Sequence, residues 1–190
     1  MIVGIDEVGR GCWAGPLVAA AVMLDEPIDG LTDSKKLTRL QRKALAKEIY
    51  LKARAIGLGW VDARRIDVIG LSAANREAME QALAQIIVPY ERIIIDGNYN
   101  YLSHIERTET LVKADTLIAD VSAASIVAKT ARDAFMVEAA MQYPAYGFDR
   151  HVGYGTQHHY EAIKLHGICE LHRLSYKPLQ ALLKVEDVQS

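Results

Sequence analysis

Two adjacent carboxylates, Asp6 and Glu7, stand in the first apolar segment of the chain. Asp96 follows three isoleucines and precedes a glycine, and Asp115 comes shortly after another short segment with strand character. A carboxylate in an apolar strand is costly unless it is paired, hydrogen-bonded or bound to a cation. If these strands are neighbours, the acids converge and repel one another, and Mg²⁺ or Mn²⁺ is the kind of ion that prefers such oxygen ligands. The spacing therefore predicts a divalent-metal site.

Two ions held about 3.5–4 Å apart activate a water and stabilise the leaving oxygen of a phosphodiester. The structural alternative is that each acid caps a turn or a helix. The pattern alone does not separate a nuclease from a phosphatase, and a glycosidase also uses paired carboxylates but needs no metal. A phosphotransferase of the P-loop type is not supported, because the GxxxxGK[ST] pattern does not occur.

The elements that must position these acids follow from hydrophobic periodicity and turn residues. Strands are predicted at Ile2–Val8, Leu17–Leu24, 56–61, Arg92–Asp96 and 108–112, and helices at 39–54, 71–86, 121–139, near 158–166 and near 178–183. Thr38 and Gln41 match a capping box at the start of the first helix. Early strands followed by alternating strands and helices indicate an α/β fold, in which the first three strands form a meander and the later strands run parallel to a neighbour.

The bulk composition of the 190 residues is that of an ordinary globular protein, with 51% hydrophobic and 24% charged residues. We expect one catalytic domain over residues 1–190, with a flexible tail at about 184–190. No long uninterrupted apolar run or secretory signal is visible, so we expect no membrane span and a cytoplasmic location. The net charge of −2 argues against a protein that coats nucleic acid, although a local basic groove remains compatible with it.

Cysteine and histidine offer no second metal site that the spacing supports. Cys12 and Cys169 form no CxxC pair, so we expect two reduced thiols. Five histidines fall between positions 151 and 172, but His158 and His159 are adjacent and diverge on a helix. We expect these histidines to serve surface or groove roles.

Beyond these patterns, the residues resemble ribonuclease HII, the type 2 ribonuclease H family. The matching segments are DEVGRG at 6–11, TDSKKL at 32–37, IDGN at 95–98, KAD at 113–115, SAASIVAK at 122–129, GYGT at 153–156 and HRLSYKP at 172–178. They lie in the family's order and span residues 6–178, which is far more specific than any single motif.

The resemblance implies an RNase H-like fold, in which a central mixed five-stranded sheet is flanked by helices and followed by a helical C-terminal part. In that fold the first and fourth strands are adjacent, which would bring Asp6 and Asp96 together. It implies that Asp6, Glu7, Asp96 and Asp115 are catalytic metal ligands for Mg²⁺ or Mn²⁺. It also implies cleavage of the RNA strand of RNA–DNA hybrids, and cleavage 5′ of single ribonucleotides embedded in DNA, leaving a 3′-hydroxyl and a 5′-phosphate.

The resemblance also implies how the substrate is recognised. The Gly9-Arg10-Gly11 loop would lie against the sugar-phosphate at the RNA–DNA junction, where glycine permits close backbone approach. Tyr154 would stack on the next deoxyribose and bind the 2′-hydroxyl that distinguishes RNA from DNA. The candidates for phosphate contacts are Lys35, Lys36, Lys129, Arg173 and Lys177. For each lysine, a solvated surface charge is the alternative.

The chain departs from the family's usual pattern at five positions. Cys12-Trp13 follows the glycine loop, where we expect Trp13 to pack beneath it, and Ala114 replaces a common glycine before Asp115. Leu174 stands where a second arginine is common, and Tyr176 replaces a phenylalanine. None of these changes touches a proposed metal ligand, so we expect activity to be kept and only affinity to differ.

Two related alternatives stay open at this point. Ribonuclease HIII has similar chemistry but typically carries an extra N-terminal domain, for which a first strand at Ile2 leaves no room. A non-catalytic nucleic-acid-binding domain on the same fold would be expected to have lost acids, whereas all four are present. We expect a monomer, and the tail around 182–190 shows no clear sliding-clamp motif, so no clamp partner is predicted.

Overall fold

The computed structural model describes the backbone of residues 1–187 and the side chains of residues 1–183. Five strands form one sheet in the order β3-β2-β1-β4-β5. They are β1 (Ile2–Val8), β2 (Leu17–Leu24), β3 (Ala53–Val61), β4 (Arg92–Asp96) and β5 (Thr108–Leu111). β2 is antiparallel to both β1 and β3, and β4 is parallel to both β1 and β5. The predicted meander and the mixed α/β sheet are therefore confirmed.

Helices cover both faces of the sheet and form most of the C-terminal third. They are α1 (Arg39–Lys52), α2 (Ala63–Ile69), α3 (Leu71–Leu83), α4 (Ala114–Leu117), α5 (Ala119–Gln142), α6 (Phe148–His151), α7 (Gln157–His166) and α8 (Lys177–Asp187). Short 3₁₀ turns occupy Ser34–Lys36 and Pro144–Tyr146. Within the part of the chain that the structure describes, none of these helices has the length and apolarity to cross a membrane.

Some predicted boundaries are wrong, and each has a local cause. The Thr38 capping box starts α1 as predicted, but the helix ends at Lys52 because Ala53 already pairs with Leu24 in the sheet. α2 escaped prediction because seven residues are too few for a clear helical period, although its Asp62 cap accepts a hydrogen bond from the Arg65 N–H. Within the predicted tail, α8 continues to Asp187, and residues 188–190 lie outside the described residues.

The strand β1 lies between two cores, and its alternation decides where its acids point. Val3 and Ile5 pack in the core that includes α3, whereas Gly4 faces the start of α5. A Cβ at Gly4 would lie 2.2 Å from the Asp120 carbonyl carbon, so only glycine permits this close approach of helix and strand. Because side chains alternate along a strand, Asp6 faces α5 and its neighbour Glu7 faces α3.

Candidate active site

Three acids converge at the C-terminal ends of the parallel strands β1 and β4. Asp6, Asp96 and Asp115 each offer a carboxylate oxygen, and these oxygens all lie within 4.8 Å of one another. Asp6 and Asp96 come together because β1 and β4 are parallel neighbours with Ile5 opposite Ile95. Asp115 does not stand at a strand end; it lies in the first turn of α4, the short helix that follows β5. We call these three residues the acid trio.

Hydrogen bonds fix the acid trio to its scaffold. The Ala114 N–H donates to Asp96 Oδ1 over 2.8 Å, which ties α4 to the end of β4. The Ser122 hydroxyl of α5 donates to the carbonyl oxygen of Asp115, which holds the same turn from the other side. The carboxylates are thus held close together by backbone contacts that do not neutralise their charge.

The buried acids repel one another in the free protein. Burial, followed by the charge of Glu7, raises the pKa of Asp6 well above its ordinary value. Burial, followed by the charge of Asp96, raises the pKa of Asp115. A site built from oxygen ligands that resist full ionisation fits a hard divalent cation, which would lower these pKa values on binding.

Lys35 is a cation close enough to respond to this cluster. Burial lowers the pKa of its ammonium, but the nearby carboxylates, Asp33 and Asp6 first among them, raise this pKa by more. The net direction is therefore upward. The turn that carries Lys35 is fixed by the Asp33 carboxylate, which accepts from the Lys35 N–H, and by a 2.9 Å bond between the hydroxyls of Ser125 and Ser34. One ammonium does not neutralise the trio and its neighbours.

Glu7 lies outside the trio because it faces the other side of β1. Its Oε1 accepts from Arg10 Nη1 at 3.3 Å, and burial raises its pKa despite the opposing charge of Arg10. The charge of Asp96 also raises the pKa of Glu7, so the two acids are close neighbours. The prediction missed Asn75, which is fully buried on α3 beside Glu7; its amide has no hydrogen-bond partner of good geometry among the described residues.

The Gly9-Arg10-Gly11 loop follows directly from β1. Gly9 is buried with φ of 100°, and a Cβ there would lie 2.5 Å from Arg132 Nε, so glycine is required. Gly11 is exposed, and a Cβ there would meet nothing within 4 Å, so the absence of a side chain leaves the surface of the loop open. The loop therefore presents backbone and the exposed Arg10 to solvent.

The predicted phosphate contact of Arg173 is wrong. The guanidinium is fully buried beneath the loop, where Nη1 donates to the Gly9 carbonyl at 2.6 Å and to the Tyr176 hydroxyl at 2.8 Å. Nε and Nη2 both donate to the Gly15 carbonyl, at 3.0 and 2.7 Å. A side chain with no solvent access cannot reach a substrate phosphate, so Arg173 supports the loop from inside.

A second buried arginine, Arg132 of α5, was not predicted. It donates to the carbonyls of Pro16 and Val152 at 2.8 Å each and to that of Ala14 at 3.0 Å. These bonds join the segment after the glycine loop to the segment before Tyr154. The available signal was an arginine inside a mostly apolar helix, which indicates a buried polar network.

Tyr154 stands at the surface on this support. Its side chain is 41% exposed, and its backbone pairs with Cys12. Trp13 lies against the neighbouring Gly155, since a Cβ at Gly155 would lie 2.0 Å from the indole ring; its packing beneath the glycine loop stays a prediction. Lys129 lies 5.8 Å from the centre of the Tyr154 ring and donates to Asp133 at 2.8 Å, so part of its charge is already paired.

The expectation of surface or groove roles is wrong for His159 and His172, which are buried and form a structural network under Tyr154. His159 Nδ1 lies 2.9 Å from the Tyr154 carbonyl oxygen, and its Nε2 lies 3.1 Å from His172 Nε2. Burial lowers the pKa of each of these two histidines to about 4, so both are neutral at pH 7. Within the described residues, no group of three ligands with metal-binding geometry includes a histidine. We call Arg132, Arg173, His159 and His172 the loop support.

The remaining basic candidates differ in position. Lys36 is exposed in the same 3₁₀ turn as Lys35, and Lys177 is exposed at the start of α8. The segment before Lys177 is anchored by Asp67 of α2, whose carboxylate accepts from the N–H groups of Leu174 and Ser175 at 2.8 and 2.9 Å. The phosphate contacts of these lysines stay predictions.

Comparisons with known proteins identify the family. The family model described as ribonuclease HII matches residues 3–179. A ribonuclease HII of Nitrosospira multiformis is 42% identical over 187 residues, which cover 97% of this chain and 94% of that protein. The structure of a PCNA:RNase HII complex from Archaeoglobus fulgidus is similar with a TM-score of 0.81 and 26% identity, covering 96% of both chains.

A solved structure from the sister family is similar in fold alone. It is Bst-RNase HIII in complex with Mn²⁺, with a TM-score of 0.76 and 22% identity, and the match covers 97% of this chain and 69% of that one. The family match thus favours type HII over type HIII. On its sequence family, its mixed sheet and its acid cluster, this chain belongs to the ribonuclease HII family and is an endoribonuclease of the RNase H type.

Proposed function

We propose that this enzyme hydrolyses the RNA strand of RNA–DNA hybrids and nicks duplex DNA on the 5′ side of a single embedded ribonucleotide, leaving a 3′-hydroxyl and a 5′-phosphate. The observation that carries the proposal is the acid trio, with oxygens within 4.8 Å, at the end of the strand that continues into the Gly9-Arg10-Gly11 loop. A centre for phosphodiester chemistry and a loop suited to close backbone contact are therefore joined in one segment.

The metal ligands in this proposal are Asp6, Asp96 and Asp115, with Glu7 as the fourth. Mg²⁺ or Mn²⁺, bound as a pair, would supply an activated water and neutralise the charge that develops on the leaving oxygen. Glu7 is included because Asp96 lies near enough to raise its pKa, although its carboxylate pairs with Arg10 in the free protein.

Recognition of the ribonucleotide falls to the loop and Tyr154. The exposed face of the Tyr154 ring suits packing against a sugar, and its hydroxyl suits the 2′-hydroxyl, which both donates and accepts. Lys35 and Lys36 are proposed to hold backbone phosphates beside the acid trio, since both residues are exposed on one fixed turn. The described residues would act as one catalytic domain.

The test is the cleavage of three matched duplexes: an RNA–DNA hybrid, a DNA duplex with one ribonucleotide, and the same duplex in DNA alone. We expect cleavage of the first two with Mg²⁺ or Mn²⁺, no cleavage of the third, and no cleavage after chelation. A folded enzyme that leaves the single-ribonucleotide duplex intact with both ions would refute the nicking activity. Chelator-resistant cleavage would refute the metal site.

The alternatives make different predictions in the same assay. An enzyme of type HIII character would cut the hybrid but spare the single ribonucleotide, and a non-catalytic domain would bind both without cutting. The clamp contact named for the Archaeoglobus fulgidus relative concerns that protein. For this chain, the lack of a clamp partner stays a prediction.

A further inference from the structure

An aromatic pocket lies beside Arg10, in the turn after β4. It encloses about 340 Å³ between the first turns of α3 and the loop at 99–104. Its lining includes Ser72, Arg76, Tyr99, Tyr101, Ser103 and His104. These residues lie outside the proposed metal site and the Gly9-Arg10-Gly11 loop, so the proposed function gives them no role.

The two tyrosines form a supported platform. Their ring centres are 4.7 Å apart with the planes tilted by 59°. Tyr101 packs against the core on the α3 side of the sheet, whereas Tyr99 is 63% exposed. Tyr99 therefore rests on a fixed ring and offers its own outer surface to a ligand.

The loop that carries the platform is held in place without any ligand. The Asn100 side chain donates to the Thr108 carbonyl at 3.2 Å and accepts from the Leu102 N–H at 2.9 Å. Leu102 is fully buried, so it anchors the loop to the core on that face of the sheet. Binding at a pre-organised surface avoids the entropic cost of ordering the loop.

Arg10 joins this pocket to the proposed active site. Its guanidinium carbon lies 5.7 Å from the centre of the Tyr101 ring, and its Nη1 lies 3.3 Å from Glu7 Oε1. Arg10 thus contacts both Tyr101, which lines the pocket, and Glu7. A strand that passes Arg10 on its way from the cut phosphodiester would arrive at Tyr99.

The polar groups of the pocket favour a phosphate. None of the described residues that line it is acidic, and it contains the Arg76 guanidinium, which is 56% exposed. Glu80 lies outside the lining, 3.2 Å from His104 Nε2 and 3.9 Å from Arg76 Nε, so its contact with Arg76 is an ion pair without a hydrogen bond. An aromatic surface beside a guanidinium and hydroxyls is the combination that binds a nucleotide through its ring or sugar and its phosphate.

We propose that the Tyr99 pocket binds one nucleotide of the substrate strand on the Arg10 side of the cut. Tyr99 packs on its sugar or base, and Arg76 binds its phosphate. This inference rests on the proposed function, because it takes the acid trio as the place of the cut. Together with Tyr154, the pocket would hold the strand at two aromatic contacts on different sides of the acids.

The experiment measures steady-state cleavage of a duplex with one ribonucleotide that is long enough to extend past the enzyme at both ends. We expect Tyr99→Ala to raise KM about tenfold, with a smaller change in kcat, since a stacking contact of about 1.4 kcal/mol corresponds to that factor. Arg76→Gln should raise KM about threefold through the lost phosphate contact. Tyr50→Ala and Arg64→Gln, which change exposed residues outside the pocket, should leave KM unchanged.

Shortening the duplex locates the contact. When it is shortened from the end that reaches the pocket, the KM of the parent enzyme should rise to that of Tyr99→Ala, and the substitution should then have no further effect. When it is shortened from the other end, the tenfold difference should persist. Equal KM values for parent and variant on the long duplex, or a difference that survives shortening from both ends, would overturn the pocket.

Two further outcomes are distinguishable. A parent enzyme that cuts no substrate refutes the proposed function, whereas an active parent with an unaffected Tyr99→Ala variant refutes only the pocket. Adenosine 5′-monophosphate tests a free nucleotide as the ligand. We expect no inhibition at micromolar concentration, and inhibition that Tyr99→Ala abolishes would replace the strand contact with a site for a free nucleotide.

Discussion

The acid trio and the loop support are neighbouring regions whose charges are not fully compensated. The charge is negative in the trio and positive in the loop support. In the trio, three carboxylates meet, and Lys35 is a cation whose pKa they raise. In the loop support, the donors of Arg132 and Arg173 bind backbone carbonyls and a tyrosine hydroxyl rather than carboxylates. Both arrangements are costly in a folded interior.

This difference indicates that the two regions bind ligands of opposite charge. The trio lacks positive charge and is suited to a divalent cation, whereas the loop support places fixed positive charge under a surface proposed to contact phosphate. We therefore expect a variant that removes a charge from the trio to keep its stability but lose activity. We expect a variant that removes a cation from the loop support to lose stability first, since these cations also hold the chain together.

The largest expected effect separates the two regions directly. Asp96→Asn should lower the nicking rate by more than about a hundredfold, because it removes a proposed metal ligand. The same variant should unfold at a temperature no lower than the parent in chelator, since one of several repelling charges is gone. Nicking assays and thermal unfolding measure the two effects, and Asp149→Asn, an exposed acid on α6, is the matched control. Full activity in Asp96→Asn would remove the metal-ligand role.

Arg173→Met tests the opposite prediction for the loop support. It leaves the Gly9 and Gly15 carbonyls without their donor, so we expect the free energy of unfolding to fall by about 2–4 kcal/mol. The preference for a single ribonucleotide over a hybrid should also weaken, because the loop is no longer fixed. Denaturant unfolding and the ratio of the two cleavage rates are the measurements.

The control for this loss is Arg173→Lys, which keeps the charge and some of the donors and should recover part of both effects. Metal affinity, measured by titration of the folded variant with Mn²⁺, should be close to that of the parent. A Met variant with unchanged unfolding free energy would contradict the support role of Arg173.

Tyr154→Phe tests the contribution of the exposed tyrosine hydroxyl. Removing the hydroxyl should lower the rate on the single-ribonucleotide duplex about fivefold to tenfold, which is the loss of one hydrogen bond. The long hybrid should be affected less, because it offers other ribonucleotides. The ratio of the two cleavage rates tests this, and an equal loss on both substrates would contradict a role of the hydroxyl in junction recognition.

A pH dependence of opposite sign is expected in the two regions. In chelator, the raised pKa of Asp6 means that its carboxyl stabilises the fold most in acid, and that this contribution is lost as the pH rises through its folded-state pKa. The pKa values of His159 and His172 are lowered to about 4, so their contribution is present above about 6.5 and is lost as the pH falls toward 4.

Denaturant unfolding at a series of pH values from about 4 upward measures both contributions, because the histidine pair titrates between about 4 and 6.5 and the Asp6 carboxyl ionises above its ordinary pKa. His172→Gln should flatten the acid side of the stability profile, whereas Asp6→Asn should flatten the side on which the carboxyl ionises. Saturating Mg²⁺ should reduce the Asp6 contribution and leave that of the histidines unchanged. An acid limb that His172→Gln leaves intact would contradict the assignment to the histidine pair.

Much of the fold and the acid site could be predicted because their signals are local. An apolar run with β-branched residues predicts a strand, and the acids follow such runs directly in β1 and β4. The neighbouring positions of β1 and β4 came from the family resemblance and agree with the observed register. The Thr38 capping box likewise depends on residues three apart and was predicted with its correct start.

From the sequence alone we could predict the order of the apolar strand segments along the chain, the identity of the acids and the membership of the family. Only the folded structure shows that Arg173 lies beneath the loop, and that Arg132 and two histidines join the loop to Tyr154. The physical reason is distance along the chain. Arg173 bonds to a carbonyl 164 positions away and Arg132 to one 118 positions away, and no local pattern encodes which carbonyl will lack a donor.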